Sequence, residues 1–552
     1  MKRAAFIFSI ILQSTIVLHL HAQEKTVNLL DSARAYYQKK DFKKAFDFYE
    51  AYHANPTRGT NNIDTYYAAV AACHANNMER VKYYLKYSAQ IGFDVPDYKK
   101  YELDSAGFCL HDVPEWKQYM SVFKFKSDSL VSALAKTTAE LTDTTNRANR
   151  SLLLDQKYWK DLASKSSASQ LISKIKQFNN YPVVKKDNFW TLYQIKVNDS
   201  LTVPFLVHIP KGYNPKQKTP LYVYLHGAVV NRTKFTPPAY IPESTELKIM
   251  EKVKDENAFI IYPFGRKDFG WLYQQLAFET VLREIAYVKS LYNINDNKVY
   301  IGGHSNGGSG AFWFAINQPS PFAAAFGLNY LPKVYGSNTP FTNLRNEVPF
   351  LGISGTEDPV FPLELVNGIY KYAAGNGANW QNFSKKGNHG LPFASRDSIN
   401  FIFDLLNTKT RNPFPKKIEW ETDNVKNGRN AWIEITQLDT LTAKVEWHKT
   451  LNPTLTQNGK TGLADFNKNK SGAVIATVEG NNINIQTSRV KSIRLYISAD
   501  MFDLSKQVKV TINNKDFLNV KLDADKQTIL DEFLKIKDRD FIVATKIDLT
   551  IK

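Results

Sequence analysis

The chain has 552 residues, more than one hydrophobic core usually supports, and its 43% hydrophobic and 13% aromatic content excludes a largely disordered protein. The formal charge of +18 comes from scattered lysines, with no basic run dense enough for a nucleic-acid groove, so nucleic acid is not expected as a partner. Two cysteines, Cys73 and Cys109, are compatible with one disulfide or with two buried thiols. No Cys/His cluster has zinc spacing and no EF-hand loop is visible, so neither metal nor other cofactor is expected.

Residues 1–22 read as an export signal. Lys2 and Arg3 form a basic start, residues 4–20 are largely apolar, and Ala22 is a small residue before Gln23. The apolar stretch is too short for a confident membrane span, and no later stretch is long enough. A secreted or periplasmic protein without a membrane span is expected.

Residues 23–130 read as helices. Ala33, Tyr36, Ala45 and Tyr49 recur as Ala69, Ala72, Val81 and Leu85, a repeat of 36 residues. Small residues let two helices approach while larger ones fill the groove between them. The pattern resembles tetratricopeptide-type helical pairs, which implies either a groove for a protein partner or a small packed helical domain. Residues 131–184 are polar and helix-compatible, and read as a connecting segment.

Residues 185–410 alternate strands with amphipathic helices. Residues 191–197 and 201–209 flank the turn Asn198-Asp199-Ser200. Short apolar runs at 221–225, 259–262, 298–301 and 349–353 suit buried strands. Val281, Leu282, Ile285, Val288 and Leu291 recur at helical spacing, as do Ile399, Ile402, Phe403 and Leu406. Such alternation predicts an α/β domain, a mostly parallel sheet with helices on both faces. Beyond Pro413 and Pro415, residues 411–552 show strict period-two runs at 483–485, 493–497 and 508–512, which predicts a separate β-rich domain of the sandwich type. Exposed Trp432 or Trp447 there would favour polysaccharide binding over packing.

Within the α/β region stands Gly303-His304-Ser305-Asn306-Gly307. A strand precedes it and a helix can follow, so Ser305 is placed on the sharp turn between them, where strand and helix backbones leave no room for side chains at the glycines. The turn holds the hydroxyl beside a helix N-terminus that favours developing negative charge. A serine hydroxyl is a weak nucleophile until a histidine takes its proton, and that histidine needs a carboxylate. Of ten histidines, two fall in the leader, three in the helical region and one in the β domain, while His208, His226 and His304 belong to other features. His389 remains, in the loop Gly387-Asn388-His389-Gly390. The acid is read as Asp358 in Gly355-Thr356-Glu357-Asp358-Pro359, with Glu357 the alternative on the same turn. An oxyanion hole needs two donors. The Asn306 N–H is one, and the amide of Ala228 or Gly227, after the strand ending at Leu225, is the other. His226 is read as bracing that loop, without a proton-transfer role.

Residues 222–227, 297–308, 355–362 and Asn388-His389-Gly390 together resemble secreted α/β-hydrolase esterases and depolymerases, and equally the catalytic domain of the prolyl oligopeptidase group. The resemblance covers about residues 185–410 and implies an α/β-hydrolase core. Helical repeats replace the β-propeller usual in the prolyl oligopeptidase group, and the longer glycine run of many lipases is missing at His226-Gly227-Ala228, which disfavours triacylglycerol. The resemblance implies hydrolysis of a small-molecule or polymer-linked carboxylic ester through an acyl-enzyme. A peptidase is the second reading, and a binding protein with an inactive hydrolase core the third.

Overall fold

A computed structural model describes residues 29–54, 62–91, 98–142, 147–184, 186–229, 235, 249–390, 397–457 and 459–551. The export signal read at residues 1–22 lies outside these. The chain divides into two units, Met1–Glu140 and Leu141–Lys552.

The first unit is helical. Helices Leu29–Gln38, Phe42–His53, Asn62–His74 and Met78–Ile91 are followed by the 3-10 segment Ser105–Asp112 and the 26-residue helix Trp116–Leu141. Of the eight repeat positions, Ala33, Ala45, Tyr49, Ala69, Ala72, Val81 and Leu85 are buried in one core. Tyr36 lies at its margin, stacked on Phe48 at 5.4 Å. The Arg34 guanidinium grips Asp64 through two 2.7 Å bonds, joining the first helix to the third. A disulfide links Cys73 to Cys109, fastening the 3-10 segment to helix Asn62–His74. The boundary read at residue 130 falls inside the long helix, because neither a breaker nor a cap interrupts it there.

In the second unit, eight strands form one mixed sheet. They are β1 (Phe189–Asn198), β2 (Leu201–Ile209), β3 (Thr219–Leu225), β4 (Phe259–Pro263), β5 (Ile294–His304), β6 (Ala324–Leu328), β7 (Phe350–Gly355) and β8 (Trp380–Lys385). Their order is β1-β2-β4-β3-β5-β6-β7-β8, and β2 alone runs against the others. Strand periodicity of two sorts the side chains between two helical layers. Tyr222 and Tyr300 pack with Phe403 of helix Asp397–Asn407 on one face. On the other, Leu225 reaches helix Asn306–Asn317, whose Gly310 leaves room for it and for Trp271.

β6 has no counterpart among the strands expected from sequence. Its AAFGL run is poor in β-branched residues. It is a strand because β5 and β7 hydrogen-bond both of its edges and its residues are buried on both faces.

Among the described residues, the C-terminal part forms a two-stranded ribbon of Thr454–Gln457 and Lys460–Leu463 and two larger sheets. One has the order Arg429–Asn430, Ile433–Leu438, Val490–Ile497, Thr545–Thr550. The other has the order Lys515–Lys521, Gln507–Ile512, Asn482–Ser488, Gly472–Glu479, Lys417–Thr422. Trp420, Ile435, Val474, Ile485, Leu495 and Val510 share one core between them. Trp432 belongs to that core, its Nε1–H donating to the Pro415 carbonyl at 2.7 Å, and Trp447 is half-buried against His448. Neither is the exposed aromatic that polysaccharide binding would need.

Two further features depart from the sequence reading. Helix Lys526–Ile536 interrupts the β pattern, capped by Asp525. Its Ile529, Leu530 and Phe533 pack on Trp159, Leu171 and Ile175 of helices Gln156–Ser164 and Ala168–Lys176. The later part of the segment read as a connector, residues 152–181, is therefore half of a hydrophobic core completed from the far end of the chain.

Candidate active site

The strand–turn–helix geometry at Ser305 follows from packing. β5 ends beside β3, and the helix starting at Asn306 turns back across both. A Cβ on Gly303 would lie 2.1 Å from the Leu225 carbonyl oxygen, and one on Gly307 only 1.9 Å from the same atom. Only glycine fits at either place. Between them Ser305 adopts φ 55° and ψ −121°, a costly conformation for a residue with a side chain. Its N–H donates to the Leu328 carbonyl at 2.9 Å, which holds the turn against the end of β6.

Ser305 is 7% exposed, and its Oγ lies 2.9 Å from His389 Nε2. His389 Nδ1 lies 2.9 Å and 3.1 Å from the two carboxylate oxygens of Asp358. A carboxylate only accepts, so Nδ1 carries the imidazole proton and Nε2 faces the serine hydroxyl with its lone pair. Asp358 is almost fully buried, and its Oδ1 also accepts the Val360 and Phe361 N–H groups at 2.8 Å and 3.0 Å. The carboxylate is therefore fixed from two sides. The Phe361 ring meets the imidazole edge-on at 5.2 Å. Glu357, the alternative acid, is exposed, while its backbone N–H serves the Gly387 carbonyl at 2.9 Å.

The structure also describes the segment read as the oxyanion loop. His226 Nε2 accepts the Gly265 N–H at 2.7 Å, so the ring is neutral and its Nδ1–H donates to the Gly227 carbonyl at 2.7 Å. The Trp271 indole N–H donates to the His226 carbonyl at 3.0 Å. These bonds tie the loop after β3 to the loop after β4. Gly227 is half-buried and Ala228 exposed, directly beyond the Leu225 and His226 carbonyls that crowd Gly307. Asn306 opens its helix, so its N–H has no carbonyl one turn back.

Two residues that the sequence reading left aside reach this site. His304 Nε2 donates to the His389 carbonyl at 2.8 Å. Asn329, at the end of β6, bonds to Asn388, His389 and Gly355. The only sequence signal for Asn329 is a residue tolerant of positive φ before an aromatic, and that becomes legible only once β6 is known. Beside it, burial pushes the Tyr330 hydroxyl well above the usual range, so it stays protonated and donates to Asn382 at 2.9 Å. Among the described residues, no cluster of acidic, histidine or cysteine side chains is arranged to hold a metal ion.

No family model matches the chain. Among curated proteins it is similar to the bifunctional acetylxylan esterase/xylanase XynS20E of Neocallimastix patriciarum, 28% identical over 168 residues. That match covers 30% of this chain and 23% of that enzyme, under a quarter of the relative's length. Solved structures similar to it include a thermostable esterase, 21% identical with a TM-score of 0.34, over 40% of this chain and 63% of that one. They also include an acylaminoacyl peptidase of Pyrococcus horikoshii, 18% identical with a TM-score of 0.34, over 41% of this chain and 42% of that one.

Proposed function

We propose that the chain is an exported serine hydrolase that cleaves a carboxylic ester through an acyl-enzyme on Ser305. The observation that carries this reading is the continuous line from Ser305 Oγ to His389 Nε2 and from His389 Nδ1 to Asp358, each link near 2.9 Å. It stands on a strained turn at a helix N-terminus.

In this reading Ser305 Oγ attacks the acyl carbon as His389 Nε2 takes its proton. The carbonyl π pair moves to oxygen, and the oxyanion is met by the Asn306 N–H and by that of Ala228 or Gly227. Collapse breaks the bond to the alkoxy oxygen, which leaves with the proton from His389. Water then enters, gives a proton to His389 and attacks the acyl-enzyme. Release of the acid returns the proton to Ser305. Asp358 stays ionised throughout and stabilises the imidazolium. No cofactor takes part in these steps.

Export is supported by the leader pattern and by the disulfide, a bond that persists in oxidising compartments. No helix among the described residues is long and apolar enough to cross a membrane. Residues 23–130 are read as a tetratricopeptide-like helical domain, either presenting a groove for a protein partner or forming a small packed helical domain.

The test is a fluorophosphonate probe on the purified mature protein, with assays on short acyl esters and proline-containing peptides. Wild type is expected to label and to turn over esters, and Ser305→Ala to do neither. Peptide turnover at a comparable kcat/KM would replace the esterase reading with a peptidase one. Folded wild type that does not label would leave only a binding role.

A further inference from the structure

We infer that Asn329 is a positioning residue that sets the acid turn and the histidine loop as one unit, an inference that rests on the Ser305 reading above. Asn329 is 1% exposed at the end of β6. Its Nδ2 donates to the Asn388 carbonyl at 2.7 Å and to the His389 carbonyl at 3.2 Å. Its Oδ1 accepts the Gly355 N–H at 2.7 Å. Two carbonyls and one N–H surround the amide, so only this orientation satisfies all three.

The three partners belong to the two segments that must agree. Gly355 ends β7, and its carbonyl accepts the Asp358 N–H at 3.4 Å, closing the acid turn. Asn388 and His389 belong to the loop after β8. The acid turn and histidine loop also touch directly, through the Glu357 N–H to the Gly387 carbonyl. That contact fixes one point of the interface. Asn329 fixes a second from a different strand, and His304 fastens the His389 carbonyl from a third.

Asparagine suits the place for two reasons. It tolerates φ 44°, a left-handed conformation, better than most residues. It also carries a donor and an acceptor on one short planar group. Tyr330 then locks the position, because its ring fills the space left by Gly327 and Gly352. The His389 side chain is 22% exposed and its ring is held by Asp358 and Phe361. Asn329 and His304 hold the backbone of the same residue through its carbonyl, so the loop keeps its place while the imidazole passes a proton in both directions.

The test compares Asn329→Gly and Asn329→Asp with wild type. Glycine adopts φ 44° without strain and loses all three side-chain bonds. Aspartate keeps the shape and the Gly355 acceptor but has no donor for the two carbonyls. Steady-state kinetics on a short acyl ester, fluorophosphonate labelling rates and near-UV circular dichroism are measured on the full chain. With the fold retained, kcat is expected to fall about 10–100-fold with KM within about twofold, as for a base displaced by a fraction of an ångström. Folded variants with wild-type kcat, or a rise in KM alone, overturn the inference. Failure of both variants to fold also overturns it, assigning Asn329 to the fold and not to the site. Wild type that neither labels nor turns over ester defeats the Ser305 reading instead.

Discussion

Two carboxylic acids stand side by side on the turn after β7, and their surroundings separate them. Asp358 points inward, takes two backbone N–H groups and contacts the imidazole through both oxygens. Glu357 points to water. Asp358→Asn is expected to lower kcat about 10⁴-fold, because an amide facing Nδ1 favours the wrong tautomer. Glu357→Gln is expected to stay within about twofold of wild type. Parallel kinetics on one ester check both, and a large loss in Glu357→Gln would reverse the assignment. At the same scale His226, read from sequence as bracing its loop, is engaged at both ring nitrogens by backbone groups. Its chemistry is used up in shaping the loop.

Between elements, buried polar groups decide the fit. Glu421, at the end of strand Lys417–Thr422, meets His448 at 3.0 Å and the Ser471 hydroxyl at 2.5 Å, with Lys444 at 3.6 Å and Thr342 at 3.2 Å. Burial alone would raise its pKa. The contacts with His448, Ser471 and Lys444 outweigh burial and hold it below the ordinary 4.5. A depressed carboxylate contributes stability that is full above its unfolded pKa and is lost as pH falls through the folded value. Glu421→Gln is therefore expected to be less stable than wild type at pH 7, with the gap narrowing below about pH 4.5. Thermal unfolding of both proteins from pH 7 to pH 3 measures this. A gap that stays constant or widens in acid would remove Glu421 from the account.

Across the whole second unit, a buried charge cluster joins distant parts of the chain. Arg411 binds Asp538 through bonds of 2.6 Å and 3.0 Å, and Lys289 lies 2.9 Å from Asp296 and 3.6 Å from Asp538. Arg539 meets Asp296 at 3.3 Å and donates to Asn293 at 2.8 Å. Burial opposes the ionised Asp538 carboxylate, but the charges of Arg411 and Lys289 hold its pKa far below the usual range. The cluster ties the C-terminal segment to β5 and to helix Gln275–Leu291. Asp538→Asn leaves two buried cations short of a counter-ion and is expected to cost about 3–5 kcal/mol. Denaturant unfolding of the full chain checks the figure. A loss under about 1 kcal/mol would mean that solvent reaches and relaxes the cluster.

The sequence alone determined what is written locally. The glycines around Ser305 mark a turn because backbone crowding leaves no alternative, and His389 stands apart because the other nine of ten histidines fall in the leader, in segments of other period or in other features. The sequence reads Asp358 as the acid with Glu357 as the alternative, and the tertiary structure buries the first and exposes the second. β6 is illegible in the sequence because alanine and glycine carry little strand preference, and Asn329 is illegible with it. Helix Lys526–Ile536 and its partners near Trp159 were illegible as a pair, since their contact spans most of the second unit and no local pattern records it. The pentapeptide and the period of each segment are properties of neighbours in sequence. The tether of the histidine loop and the buried charge cluster depend on neighbours in space, and the tertiary structure decided those.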